Sequence, residues 1–116
     1  MKRYLRFLPA LLWASLIFTL SSFPKLPEVP LTFNGVDKAA HATFFGILCA
    51  LVVFGVGHRG RSALLIGVLA TSLYGAFDEV HQMFVPGRTP DILDWLADTI
   101  GAVVAAMVVR FSRRRA

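Results

Sequence analysis

The residues best suited to chemistry in this 116-residue chain are carboxylates and histidines that stand inside otherwise apolar stretches. Ionisable side chains in such surroundings cost roughly 2.5–3.5 kcal/mol each on membrane-insertion scales, so they are functional candidates by default. They form three groups along the chain: Asp37, Lys38 and His41; Asp78, Glu79, His81 and Gln82; Asp91, Asp94 and Asp98.

The first group stands at the start of an apolar stretch. Asp37 and His41 are four residues apart, so on a helix they share a face, with Lys38 beside them. Asp37 has a structural explanation as a helix cap. His41 lies one turn deeper near other acids, where a histidine can carry a proton or bind a metal.

The second group ends a longer apolar stretch. Thr71, Gly75, Asp78 and Gln82 follow one another at spacings of four, three and four, which predicts one helix face turned toward the protein interior. Asp78 and Glu79 would repel each other when buried, so a cation or a base is expected nearby. Lys38 or Arg88 could be that partner in a purely structural ion network. We expect His81 at the periphery.

The third group opens the last apolar stretch. Thr89-Pro90-Asp91 is typical of a helix start, with Thr89 as the cap, and this explains Asp91. Asp94 and Asp98 lie on the same helix face as Asp91, and Asp98 is about 10 Å from Asp91 along the helix axis. An adjacent ladder of small residues predicts a close helix approach that would hold both carboxylates inside the bundle. The ladder is Ala97, Gly101 and Ala105.

The elements that position these groups are four membrane-spanning helices. The chain is 56% hydrophobic and 16% charged, against roughly 45–50% and about 25% in soluble domains. The apolar residues also arrive in blocks, which excludes soluble globular, disordered, collagen and coiled-coil classes. The only cysteine, Cys49, excludes a disulfide framework within one chain. We predict an all-α, four-helix transmembrane bundle forming a single domain over 1–116, with spans near 4–21, 38–57, 62–84 and 91–111.

The basic residues predict the orientation, because short cytoplasmic loops are enriched in lysine and arginine. They concentrate at the two termini and in the loop near Arg59, whereas the acids fall in the other loops and the adjacent helix halves. Both termini are therefore expected in the cytoplasm, in a multi-pass protein of the cytoplasmic membrane. This distribution favours lipid headgroups over nucleic acid as partners of the basic residues.

Two further expectations concern the first third of the chain. The first span could instead be a signal peptide, but no Ala-x-Ala cleavage site follows it. The loop up to Val36, with its three prolines and an Asn34-Gly35 turn signal, is expected to lie over the outer surface.

The polar residues in this order resemble the VanZ-like family over about Ser21 to Gly101. That family consists of small bacterial membrane proteins, named for a member associated with resistance to the lipoglycopeptide teicoplanin. The resemblance implies a cell-envelope role and a link to antibiotic resistance. At Asp98 the family pattern has asparagine, so this chain carries an additional carboxylate. The residues that carry the resemblance are Ser21-Ser22, Asp37-Lys38, His41, Asp78-Glu79, Gln82, Phe84, Pro86, Arg88, Asp91, Asp94, Asp98 and Gly101.

The residue types favour chemistry at the headgroups of lipids or cell-wall precursors in the outer leaflet. Lys38 and Arg88 would hold a phosphate or another anionic group, assisted by Gln82 and Asp37. His41, Glu79 and Asp78 would be the catalytic residues and move protons.

A divalent cation is the expected cofactor. Asp78, Asp94 and Asp98 would hold Mg²⁺ or Ca²⁺ through hard oxygen ligands, while His41 leaves zinc or manganese open.

Three alternatives remain open on the sequence. The same cluster could bind a lipid headgroup without turnover, or it could be an ion network that only holds the helices together. A small proton-coupled carrier would need polar residues reaching the cytoplasmic side, where helices two to four offer little beyond Thr71, Ser72 and Cys49. Whether the chain is an enzyme or a binder stays open.

Overall fold

The computed structural model describes residues 2–23 and 34–115, with side chains described for 2–23 and 38–112. The described residues form helices and no strands, which confirms the all-α prediction. A short 3-10 helix precedes four α-helices. These are Arg3–Phe7 (3-10), α1 Leu8–Ser21, α2 Asn34–Val56, α3 Arg61–Gln82 and α4 Ile92–Arg115.

Four helical segments have the length and apolar composition needed to cross a membrane, with mean hydropathies between 1.4 and 2.1. They are Arg3–Ser21, Lys38–Val56, Arg61–Gln82 and Ile92–Ser112. The bundle is 45 Å long, which matches a bilayer of about 40–45 Å including its headgroup regions. The chain is thus a bundle of four membrane-type helices, as the apolar blocks predicted.

Helices α2, α3 and α4 form the centre of the bundle, and α1 packs alongside. The most extensive contact joins α2 to α4, followed by α3 to α4 and α2 to α3, whereas α1 packs mainly on α2 and touches α3 only slightly. The outward face of α1 is apolar and exposed, with Leu11 and Leu12 among its residues. Where α1 meets α3, the contact is made by side chains, with Phe18 stacked on Phe77 and His81.

Polar contacts to both α2 and α3 hold the middle of α1 in place. The Trp13 indole nitrogen donates a hydrogen bond to the Phe44 carbonyl oxygen at 2.9 Å. The Tyr74 hydroxyl of α3 donates to the Ala14 carbonyl oxygen at 2.6 Å. In a membrane, where no hydrophobic effect drives helices together, such hydrogen bonds add to van der Waals packing between them.

The predicted close helix approach is present at Gly101. A Cβ atom at Gly101 would stand 2.1 Å from the Ala42 carbonyl oxygen, so only glycine allows α4 to lie this close to α2. His41 precedes Ala42, and Asp98 lies one turn before Gly101. The crossing therefore brings the histidine of α2 against the innermost carboxylate of α4.

The starts of α2 and α4 each correct a prediction. Because α2 begins at Asn34, Asn34 and Gly35 are helical and do not form the expected turn. Helix α4 begins at Ile92, and the Asp91 carboxylate accepts a hydrogen bond from the Leu93 amide at 2.9 Å. Asp91, not Thr89, is therefore the cap. Aspartate caps helices at least as well as threonine, and here its second oxygen also binds Lys38.

The start of the 3-10 helix and the later part of α4 lie at the same end of the bundle. Arg6 lines one cavity together with Phe54, Gly57 and Val109, and its Nε donates to the Phe54 carbonyl oxygen at 3.2 Å. Gly57 turns the chain there with a φ of +94°. The acidic groups lie at the opposite end.

Candidate functional site

Three helices each contribute one side chain to a polar cluster inside the bundle. His41 of α2, Asp78 of α3 and Asp98 of α4 have nitrogen and carboxylate oxygen atoms that all lie within 4.8 Å of one another. Asp98 is fully buried and Asp78 is 3% exposed. His41 Nδ1 donates a hydrogen bond to Asp98 Oδ1 at 2.9 Å, which fixes the orientation of the imidazole ring.

Asp78 is held from the side of α1. The Ser21 hydroxyl, at the last residue of α1, donates a hydrogen bond to Asp78 Oδ1 at 2.5 Å, and Ser21 is itself buried. The sequence pattern singled out Ser21 only through the family resemblance and assigned it no role. A polar residue at the end of an apolar span was the available signal.

Lys38 binds the first turn of α4. Its ammonium nitrogen lies 2.7 Å from Asp91 Oδ2 and also donates a hydrogen bond to Asp94 Oδ1. The hydrogen bond from Lys38 lowers the pKa of Asp91 below its ordinary value of 3.8. Asp91 is thus part of an ion pair between helices, which its explanation as a helix-start residue did not anticipate.

These contacts change the expected pairing of charges. The sequence left open that Lys38 or Arg88 pairs with Asp78 and Glu79, but Lys38 contacts the carboxylates of α4. Asp94 lies against Lys38, with its other oxygen 3.7 Å from His41 Nε2. Of the three expected cation ligands, Asp78 and Asp98 therefore lie in the His41 cluster, and Asp94 lies beside it.

Glu79 points toward the start of α4. Its Oε2 accepts a hydrogen bond from the Asp91 amide at 2.8 Å. Its Oε1 and the Asp98 Oδ2 atom are buried without a hydrogen-bond partner among the described residues. Buried carboxylate oxygens are normally hydrogen-bonded, so each of these two atoms can accept a further donor or a cation.

Arg88 and Gln82 lie at the membrane-surface end of the site. Arg88 Nε donates to the Phe23 carbonyl oxygen at 2.9 Å and its Nη2 donates to that of Leu20 at 3.3 Å. Gln82 is 3% exposed. Asp37, the remaining predicted binding residue, belongs to α2, but its side chain lies outside the described residues.

These residues surround a pocket of about 160 Å³ between α1, α2 and α3. One part of its wall is apolar and the other carries hydrogen-bonding groups. The apolar lining is Ile17, Leu20, Ala40, Phe44 and Phe45; the polar lining is Ser21, His41, Asp78, Gln82 and Arg88. A pocket of this kind, mostly apolar with a few converging polar groups, is the usual form of a small-molecule site.

The predicted stripe on α3 is confirmed by burial, since Thr71, Gly75, Asp78 and Gln82 are all buried. His81 lies at the edge of the site, stacked on Phe18 with ring centroids 4.4 Å apart. The structure thus gathers His41, Asp78, Gln82 and Arg88 around one pocket and places Lys38 and Glu79 at the start of α4.

The family model described as VanZ/LLP1 matches residues 4–113. The chain belongs to the VanZ/LLP1 family. No curated protein and no solved structure matches the chain significantly. The VanZ/LLP1 match extends beyond the stretch that carried the resemblance in the sequence and includes every residue of the pocket.

Proposed function

We propose that this VanZ/LLP1 protein binds the anionic headgroup of a membrane lipid in the pocket between α1, α2 and α3. The observation that carries the proposal is the composition of that pocket, which joins an apolar wall to buried polar groups. A phospholipid or a polyprenyl phosphate has a polar headgroup joined to apolar chains, so its two parts match the polar and apolar walls of the pocket.

The position of the pocket suits a lipid that enters from the bilayer. Ser21 and Gln82 are the last residues of two candidate spans, so the polar wall stands at the level where headgroups begin. Next to this polar wall, Ile17 and Leu20 of α1 and Phe44 of α2 give the pocket an apolar lining that suits a lipid chain.

Arg88 is the residue suited to hold a phosphate group. It lines the pocket and lies outside the spans, and an arginine guanidinium carries more donors than the two that bind the Phe23 and Leu20 carbonyls. Gln82, buried in the same wall, has an amide that can donate to further oxygens of the headgroup. Lys38 is bound to Asp91 and Asp94, so it has the smaller part in this proposal.

The His41–Asp98 pair favours a second candidate, catalysis on the bound headgroup. A histidine whose ring is oriented by a buried carboxylate is the usual form of a general base or acid. His41 lines the pocket, so a bound headgroup would lie within its reach. The same pocket could thus belong to a lipid-binding protein or to an enzyme, and a test for turnover of the lipid distinguishes the two functions.

The binding proposal is tested by thermal unfolding of the full chain in detergent with added lipids. The probes are phosphatidic acid, phosphatidylglycerol and undecaprenyl phosphate, with phosphatidylcholine as the zwitterionic comparison. Leu20→Trp is designed to fill the mouth of the pocket while leaving the ionic contacts intact, and Arg88→Gln removes the guanidinium. Arg61→Gln, at the basic end of the bundle, is the matched control.

We expect at least one anionic lipid to raise the melting temperature of the wild type and of Arg61→Gln, because a ligand that binds only the folded state stabilises it. The shift should be absent in Leu20→Trp and reduced in Arg88→Gln. Equal shifts in all four proteins would locate lipid binding elsewhere and overturn the proposal, as would the absence of any shift in the wild type.

Turnover is tested by mass spectrometry of the same lipids after incubation. A product formed by the wild type and lost in His41→Gln, with lipid binding retained, identifies an enzyme. Unchanged lipids in the presence of measurable binding identify a binder.

The family resemblance supports a lipid of the bacterial cell envelope as the ligand, with teicoplanin as the associated antibiotic. On this proposal, expression of the wild type in a Gram-positive host alters teicoplanin susceptibility, and expression of Leu20→Trp to the same level does not. Equal susceptibility in both strains would remove the resistance part of the proposal.

A further inference from the structure

We infer that His41, Asp78 and Asp98 form a binding site for one divalent transition-metal cation, Zn²⁺ or Mn²⁺. The inference stands on these residues alone and does not rest on the binding of a lipid.

The three side chains converge from three different helices. Their candidate ligand atoms lie within 4.8 Å of one another, whereas ligands at about 2.0 Å from a tetrahedral ion are about 3.3 Å apart. Side-chain rotations that move these ligand atoms by about an ångström would close this difference. Asp78 is held by the Ser21 hydroxyl and Asp98 by burial. A bound cation would take the place of the proton between His41 Nδ1 and Asp98, and that proton would be released to solvent.

One buried oxygen of this cluster faces α3. Asp98 is fully buried, and its Oδ2 atom has no hydrogen-bond partner among the described residues. A Cβ atom at Gly75 would lie 2.9 Å from Oδ2, so this oxygen faces the side of α3 that also carries Asp78. A buried carboxylate oxygen without a donor is costly, and a cation bound there would satisfy it.

The excess of carboxylates over permanent cations at this end of the bundle also favours the binding of a cation. The described side chains there include five carboxylates, of Asp78, Glu79, Asp91, Asp94 and Asp98, and the two permanent cations Lys38 and Arg88. Lys38 is bound to Asp91 and Asp94. Arg88 donates to backbone carbonyls. Asp78 and Asp98 both face His41, and like charges crowded in a low dielectric repel strongly.

The donor set indicates which metal fits. One imidazole nitrogen with two carboxylates suits Zn²⁺ or Mn²⁺, whereas Mg²⁺ and Ca²⁺ prefer oxygen ligands alone. The sequence led us to expect Asp78, Asp94 and Asp98 with Mg²⁺ or Ca²⁺. The contact between Asp94 and Lys38 and the position of His41 favour the revised ligand set.

The test uses the full chain, purified in detergent, stripped of metal with EDTA and freed of the chelator. Mn²⁺ is titrated and its free fraction is followed by electron paramagnetic resonance, with Zn²⁺ and Mg²⁺ as competitors and no lipid added. Asp78→Asn and Asp98→Asn remove one ligand each. The matched controls are His58→Gln, an exposed histidine at the opposite end, and Asp91→Asn, a carboxylate outside the cluster.

We expect one Mn²⁺ per chain, displaced by Zn²⁺ and not by equimolar Mg²⁺. Loss of a hydrogen-bond partner of a metal ligand weakens metal binding about 10–100-fold, so loss of a ligand itself should weaken it by at least about 100-fold. His58→Gln and Asp91→Asn should stay within about tenfold of the wild type. Pulsed resonance should also detect one histidine nitrogen bound to Mn²⁺ in the wild type, a result that needs no variant to fold.

Three results would overturn the inference: no stoichiometric metal in the wild type, binding by Asp98→Asn equal to the wild type, or bound Mn²⁺ without a nitrogen ligand. Because the titration contains no lipid, its result does not depend on whether the protein binds a headgroup. A failure to bind Mn²⁺ would likewise leave the headgroup proposal standing.

Discussion

At the scale of single residues, the carboxylates of this protein divide into two sets with different neighbours. Asp91 and Asp94 bind Lys38 and link α2 to α4. Asp78 and Asp98 meet His41 and line the interior. The sequence correctly placed Asp94 and Asp98 on a buried face, but a spacing along one helix does not specify which cation on another helix each carboxylate meets.

Asp91 gives a pH prediction at this scale. Its pKa in the folded protein lies below the ordinary value of 3.8 because Lys38 donates a hydrogen bond to it. The charged carboxylate therefore stabilises the fold above that value, and the contribution is lost as the pH falls through the lowered pKa. We expect wild type to exceed Asp91→Asn in free energy of unfolding by a constant amount from about pH 7 to about pH 5, and by less below pH 3.8.

The measurement is denaturant unfolding in detergent across this pH range. Arg61→Gln serves as the control, since its arginine does not titrate there and its difference from wild type should stay constant. A gap between wild type and Asp91→Asn that persists unchanged at the lowest pH would show that the Asp91 contribution does not depend on its charge.

At the scale of helices, one close crossing assembles the site. Gly101 lets α4 approach the Ala42 carbonyl of α2, and this approach sets His41 opposite Asp98. The ladder of small residues predicted that α4 packs closely on a neighbour. It did not indicate that the neighbour is α2, because several helices in the chain carry glycines.

Gly101→Ala should therefore disturb the fold and the site together. The added Cβ atom has no room beside the backbone of α2, and overpacking typically costs about 1–3 kcal/mol. Ile100→Ala, a change at the exposed neighbouring position, should cost clearly less. Thermal unfolding in detergent measures both, and Mn²⁺ titration of the folded variant should show weakened binding. Equal melting temperatures for the two variants would contradict the crossing as described.

At the scale of the whole molecule, charge is separated along the bundle. The described acidic side chains cluster near the start of α4 and the end of α3, while Arg6, Arg59 and Arg61 lie at the opposite end. This separation follows the expected enrichment of basic residues on the cytoplasmic side. It predicts that the pocket faces the outer leaflet and that both termini are cytoplasmic.

Cysteine labelling in intact cells tests this orientation, and the buried Cys49 should give little background. Phe84→Cys, at a position 80% exposed beyond α3, should react with a membrane-impermeant maleimide added outside. Ser112→Cys, near the end of α4, should react only after the membrane is permeabilised. The reverse pattern would place the pocket on the cytoplasmic side.

The amino-acid sequence alone determined the all-α class, the four apolar helices and the rare polar residues that gather at one end. These properties follow from local composition and helical spacing, because a bilayer requires about 20 apolar residues per span and gives each buried polar residue a high cost. Tertiary structure alone decided the partners: Ser21 with Asp78, Lys38 with Asp91 and Asp94, and His41 with Asp98. Partners 53 to 57 residues apart depend on helix order, rotation and crossing distance, which the spacing within a single helix does not encode.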